Sequence, residues 1–312
     1  MKTNIKNLLS EYMLHIHFEG SVSLETLRKV AVRKGITPPD DLTYSFRDFT
    51  EFNTVFPKIF RSLTEEEDFY DLATAFTEDL VRQGITYCET FCVPLAHVRR
   101  GVPFEKFFPP LMTALNEAER NSGVCVKVIF SIIRAGGNAE WGHQTLDLIE
   151  RHPYPRIVGI DLAGPECSET ITPFESVYHR AKSLGLHRTA HSGEFCGPDH
   201  VRQTIQSLEV ERIGHGITAS CDESLMRLLI EKDIPLEICP TSNVKLGAVA
   251  SWESHPVRTL FDYGVPIVIG TDDPAFFGNT LDGEYGQLRR RFGFSETEIE
   301  TLQNNVAKYA FG

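Results

Sequence analysis

His191 and Glu194 stand three residues apart in TAHSGEFCGPDH, residues 189–200, and offer a metal ligand beside a carboxylate. A short apolar lead (Leu184, Gly185, Leu186) precedes them and a Gly/Pro-marked loop follows. That is the profile of a buried strand running out into a loop, so both groups belong at its mouth. Two more imidazoles, His15 and His17, lie in MLHIHF. A strand's period of two points both to one face, where they can reach one ion. Asp272, in GTDDP after an apolar run, adds a carboxylate. Three histidines and one aspartate can hold a single zinc ion with a position left for water, whose pKa zinc lowers to near ~7. Glu194, kept protonated in an apolar pocket, can donate to a ring nitrogen. His215, in RIGHGI, is placed to orient or deprotonate the water, and Asp273 to accept a hydrogen bond from it.

Each piece has an ordinary reading as well. An isolated His-x-His is more often two unrelated histidines than a ligand pair, His191 could be a hydrogen-bonded core residue, and TDDP suits an Asx-turn entering a helix. Ordinary residues would scatter along their strands. These all fall at strand C-terminal ends, where barrel active sites are built.

The elements that must position them follow a regular rhythm. Apolar segments rich in β-branched residues recur at 13–18, 85–93, 126–133, 156–163, 186–191, 211–216, 235–239 and 265–271, separated by helix-like stretches. Eight strands alternating with helices predict one (β/α)8 TIM barrel of the metal-dependent hydrolase type over residues 1–312, the alternative being a doubly wound open sheet. The length leaves room for a helical insertion after the first strand–helix unit. Helices are expected over 21–35, capped by Ser21 or Ser23, and over 104–121, 143–152, 173–185, 200–208, 223–233 and 255–264, with a C-terminal helical pair. In the insertion, residues 40–83, Phe46, Phe49, Phe52, Phe56 and Phe60 recur at spacings of three and four. The spacing predicts a core-facing helix face, with a partly open lid over an apolar ligand as the sharper reading. No GxGxxG follows the first strand and no P-loop is present, so nucleotide-phosphate chemistry is not signalled. The fourth strand's end, GIDLAGPE, has no lysine that could bridge two metals, which favours one.

Composition narrows the partners. With 312 residues, 41% hydrophobic, the chain can bury a large core, and its net charge of −12 argues against nucleic acid. No apolar run approaches the ~20 residues of a membrane span, and the first 18 residues lack the features of a signal peptide. Seven scattered cysteines lack zinc-site spacing and have apolar or aromatic neighbours, which predicts mostly buried thiols and a cytoplasmic location. Oligomeric state is not encoded in any pattern read here.

At the residues above, the sequence resembles the adenosine deaminase family of the amidohydrolase superfamily. The motifs are LHIHFEGS (14–21), GIDLAGPE (159–166), AHSGE (190–194), RIGHG (212–216), EICPTSN (237–243) and TDDP (271–274), in family order. The resemblance implies hydrolytic removal of the 6-amino group of an adenine nucleoside, a small-molecule partner. His15, His17, His191 and Asp272 would bind one Zn²⁺ per subunit, with His17 also at the substrate. Glu194 would protonate purine N1, His215 and Asp273 would place the water, Asp273 would also touch the substrate, and the backbone of Gly164 would meet the purine edge near N3. Three positions depart from the common pattern. Glu19 replaces the usual aspartate at the place expected to contact the sugar's 5′ end, Ser192 the usual alanine, and Gly270 the asparagine before TDDP.

The stretch 44–72, with LGAVAS, HPVRTLFDYGV and DDPAFFG, is more similar to the aminodeoxyfutalosine deaminases, whose substrate carries a bulky aromatic 5′ group. Free-base adenine deaminases fit less well at the fourth- and sixth-strand motifs. Two other classes remain as contrasts: a zinc hydrolase of amides or esters, which needs no acid at a ring nitrogen, and a family member that binds nucleoside without turnover.

Overall fold

The chain forms eight strands, of which those over 125–133, 157–163, 236–238 and 267–269 are rich in Val, Ile and Leu. The eight are β1 (Tyr12–Met13), β2 (Tyr87–Cys92), β3 (Cys125–Ile133), β4 (Ile157–Ala163), β5 (His187–Ser192), β6 (Arg212–His215), β7 (Leu236–Ile238) and β8 (Ile267–Ile269). The computed structural model describes residues 11–35, 46–134, 139–167 and 170–312, without the side chains of residues 59–61. All neighbouring pairs from β1–β2 to β7–β8 run parallel and in sequence order. The ends meet where Ile16 bridges Asp272 and His17 N donates to Asp272 O at 2.8 Å. The result is the expected (β/α)8 barrel.

Helices surround it: α1 (Leu24–Arg33), α2 (Phe49–Val55), α3 (Glu66–Arg82), α4 (Pro94–Arg99), α5 (Phe104–Ser122), α6 (Ala139–Arg151) and α7 (Glu175–Ser183). The series continues with α8 (Pro198–Leu208), α9 (Glu223–Glu231), α10 (Pro240–Lys245), α11 (Val257–Tyr263), α12 (Pro274–Phe277), α13 (Leu281–Phe292) and α14 (Glu296–Lys308). Their construction is local. In α9 the Asp222 side chain accepts from Ser224 N and Leu225 N, satisfying two of the N–H groups a helix start leaves unpaired. The helix then buries Leu225, Met226 and Leu229 on one face, and each such side chain contributes roughly 1.5–3 kcal/mol. Ser23, one of the two expected caps, does the same for α1 by accepting from Thr26 N. None of the described helices is long and apolar enough to cross a membrane.

Two expectations change. The first strand was expected over 13–18, yet regular pairing stops at Met13 and continues only as the single bridges of Ile16 and His17. The His15 carbonyl takes two donors, Thr271 N at 3.0 Å and Asp272 N at 3.2 Å, which interrupts the ladder. The sequence reading also missed three short helices, α4, α10 and α12. Each opens on a proline two to five residues past a strand end, a first-turn position where proline's fixed φ helps and its missing N–H costs nothing.

The insertion is α2, a 3-10 turn over Phe56–Ser62, and α3. Phe52 is buried, while Phe46, Phe49 and Phe56 are half-buried against the core. Phe52 packs on Phe276 at 5.2 Å between ring centroids, and Phe49 stacks on Phe195 at 4.4 Å. The stripe therefore faces the protein, as the spacing predicts, but its target is the rim of loops after β5 and β8 rather than the barrel core. Residues 40–45 and the Phe60 side chain lie outside the described residues.

Candidate metal centre and active site

The segment after β1, the end of β5 and the turn after β8 bring His15, His17, His191 and Asp272 together, with one ligand atom from each within 4.8 Å of the others. His17 Nε2 lies 3.1 Å from His191 Nε2 and 3.2 Å from Asp272 Oδ1. His15 Nε2 is 3.8 Å from the same oxygen, buried and without a hydrogen-bond partner among the described residues. A buried imidazole nitrogen aimed into three other ligand atoms fits a divalent ion. Burial alone would lower the pKa of His15, but Asp272 and Glu237 outweigh it and raise it to about 9. Burial would raise that of Asp272, yet the imidazoles of His15 and His17 hold it well below the usual carboxylate range. Asp272 has φ of 63° and His215 of 61°, left-handed conformations that cost a non-glycine residue about 1–3 kcal/mol and cluster at functional sites.

Three of the four candidate ligands are themselves held by groups outside the cluster. Glu237 Oε2 lies 2.8 Å from His15 Nδ1, and Asp161 Oδ1 lies 3.0 Å from His191 Nδ1. Ser131 donates to the other Asp161 oxygen at 2.8 Å. Burial opposes ionisation of Asp161, but His191 and Ser131 bring its pKa down to about 2. Ser242 donates to Asp272 Oδ2 at 2.5 Å. These carboxylates fix the imidazole tautomers so that Nε2 faces the ion position.

Glu194, His215 and Asp273 flank the cluster and are all buried. Burial, with the charges of Asp272 and Glu166, raises the Glu194 carboxyl well above its usual range. Asn243 Nδ2 donates to Glu194 Oε1 at 2.7 Å, leaving Oε2, 3.7 Å from His215 Nε2, as the oxygen to carry a proton. The loop bearing Glu194 is shaped by Glu166, whose carboxylate accepts from the backbone N–H groups of Gly193, Glu194, Phe195 and Cys196 at 3.0–3.3 Å. Burial holds the His215 pKa well below the usual value, so the ring is neutral. Burial and Asp272 push Asp273 up, and its Oδ1 has no partner among the described residues.

A family profile described as adenosine deaminase matches residues 11–312. The chain belongs to the adenosine deaminase family. As a member it is a hydrolase acting on carbon–nitrogen bonds. It is 33% identical over 306 residues to an adenine deaminase of Ectopseudomonas mendocina, covering 96% of each chain. It is also 33% identical over 306 residues to an aminodeoxyfutalosine deaminase of Streptomyces coelicolor, covering 96% of this chain and 79% of that one. The crystal structure of an adenine deaminase from Arthrobacter aurescens superposes with a TM-score of 0.92 at 31% identity, covering 97% of this chain and 94% of the other.

The departures from the adenosine deaminase pattern have local causes. A Cβ at Gly270 would fall 2.5 Å from His15 Cβ and 2.6 Å from His15 O, so an asparagine there would displace a metal-ligand candidate. Ser192 Oγ is tied to His200 Nδ1 at 2.6 Å and Thr204 Oγ1 at 3.0 Å, behind the strand. Glu19 is buried and turned toward α4, where Oε1 accepts from Val93 N at 3.0 Å and sits 3.2 Å from His97 Nε2. Gly164, at φ 95°, ends β4 beside Arg134 N. Cys167 and Cys196, expected as thiols, are paired in a disulfide with Cα atoms 5.5 Å apart, while Cys88, Cys92 and Cys239 are buried and free.

Sequence reasoning assigned no role to Asp161, Glu166, Glu237, Ser242 or Asn243, although every one falls inside a quoted motif. The available signal was polar residues embedded in apolar strand ends.

Proposed function

We propose that the protein removes the 6-amino group of an adenine nucleoside by hydrolysis, giving the 6-oxo product and ammonia, with one zinc ion held by His15, His17, His191 and Asp272. The observation that carries this reading is Glu194: a buried carboxyl with a raised pKa, bound through Oε1 to Asn243, next to four candidate ligands. Zinc bound there supplies Lewis acidity that brings a water's pKa near neutrality. Glu194 gives its Oε2 proton to purine N1, which withdraws electrons from C6 and opens it to attack. His215 and Asp273 orient the attacking water, the unpartnered Asp273 Oδ1 accepting its hydrogen bond. Of the water's two protons, one leaves on the amino group as ammonia and the other restores Glu194, while N1 keeps the proton it received. The backbone at Gly164 meets the N3 edge.

Adenine deaminase and aminodeoxyfutalosine deaminase both stand at 33% identity, among relatives most of which are named adenine deaminase. GIDLAGPE and RIGHG favour a nucleoside over the free base. A second reading, a nucleoside with an aromatic 5′ substituent, is favoured by the wall in which Phe49 stacks on Phe195, the residue after Glu194. Comparing kcat/KM for adenosine, a 5′-aryl adenosine and adenine tests the ranking; faster turnover of adenine than of either nucleoside overturns it.

A further inference from the structure

Asn243 is fully buried, with Glu194, His215 and His255 as side-chain neighbours. Its amide has an oxygen at one end and two N–H donors at the other, so its orientation decides what each neighbour receives. His255 settles that orientation. The Val257 N–H, one of the donors that the start of α11 leaves unpaired, points at His255 Nδ1 at 3.2 Å. That nitrogen is the acceptor, and the ring hydrogen sits on Nε2, 3.2 Å from Asn243. Burial lowers the His255 pKa to about 4, which keeps the ring neutral near neutral pH. Asn243 Oδ1 therefore faces His255, and both amide hydrogens face the site. One goes to Glu194 Oε1 at 2.7 Å and the other to His215 Nδ1 at 3.2 Å. An accepting Nδ1 places the His215 hydrogen on Nε2, 3.7 Å from Glu194 Oε2 and 4.0 Å from Asp272 Oδ2.

We infer that His255 is a positioning residue: through the Asn243 amide it selects the proton-bearing oxygen of Glu194 and the tautomer of His215. Its catalytic consequence rests on the roles proposed above for those two groups. His215 meets the attacking water with an N–H, so it orients the water and does not take its proton. Because one amide serves both groups, the acid and the orienting imidazole are set together.

Nitrogen-15 labelling of histidine in the zinc-loaded protein reads the tautomers without any substrate. His215 and His255 should both show a protonated Nε2 and an unprotonated Nδ1; a proton on His215 Nδ1 overturns the inference whatever the activity. His255→Phe keeps the ring shape and loses both nitrogens. It should lower kcat per bound metal by about 10–100-fold with little change in KM, and His255→Gln, whose amide N–H can reach the same oxygen, should restore most of it. A packing role alone would lower the melting temperature and leave kcat per bound metal unchanged in both variants, which also overturns the inference. Should the Phe variant fail to fold, the wild-type spectrum and the Gln variant still decide. A protein that releases no ammonia yet shows the Nε2–H form of His215 would refute the proposed reaction and leave this arrangement standing.

Discussion

Gly20 lies directly against Asp273: a Cβ on residue 20 would fall 1.7 Å from Asp273 Oδ1. The glycine of LHIHFEGS is thus the space into which the Asp273 carboxylate, the proposed water-orienting group, is folded. Gly20→Ala should push Asp273 aside without touching the four candidate ligands. The expected result is a fall in kcat of about 10²-fold, the scale of a 1 Å misplacement, with metal content unchanged. Wild-type kcat in that variant would show that the position of Asp273 is unimportant.

Glu194→Gln preserves shape and the Asn243 contact site but has no acidic proton. Its kcat for a 6-aminopurine should drop by roughly 10²–10⁴, while bound zinc, measured by mass spectrometry, stays at one per chain. A mild loss would favour the amide or ester hydrolase, which has no ring nitrogen to protonate.

Asp161 holds His191 at 3.0 Å and does not belong to the ligand set. Asp161→Asn should weaken zinc binding by about 10–100-fold, read by competition with a chelator of known affinity. Unchanged affinity would mean that His191 is oriented by other contacts.

The barrel, and the meeting of His15, His17, His191 and Asp272 at one end of it, were legible because both depend on local period. The spacing of two placed His15 and His17 on one side of the segment although regular pairing ends at Met13, and apolar runs located most of the strand ends. What stayed hidden depends on partners far along the chain. Asn243 meets Glu194 across 49 positions, and Glu166 builds the turn of Glu194 from a neighbouring loop. Cys167 and Cys196, 29 residues apart, pair where the loops after β4 and β5 meet, which no spacing announces. The early end of β1 has the same origin, two donors from the turn after β8 sharing one carbonyl. By contrast, α4, α10 and α12 carried a readable mark in their opening prolines.

His255 also predicts a pH effect on stability. Its folded pKa of about 4 lies below the ordinary 6.5 because of burial, so the unfolded chain binds the proton more tightly. The stability this contributes is fully present above pH 6.5, falls as pH drops, and is lost below about pH 4. The gap corresponds to on the order of 3 kcal/mol, at roughly 1.4 kcal/mol per pH unit. Melting temperatures of zinc-loaded wild type and His255→Gln, followed from about pH 8 to about pH 5, should converge in acid, with the wild type losing more. Metal loss in acid affects both proteins, so parallel curves would contradict the buried neutral imidazole.

The proposed reaction is hydrolytic deamination at a metal held by His15, His17, His191 and Asp272. The most direct measurement incubates zinc-loaded and chelator-stripped protein with adenosine and 5′-substituted adenosines in oxygen-18 water, counting ammonia and weighing the product. The expected result is one ammonia per product, one oxygen-18 atom at C6, and activity that disappears on stripping and returns with zinc. No ammonia from any nucleoside by the zinc-loaded protein, or equal turnover without metal, would contradict it.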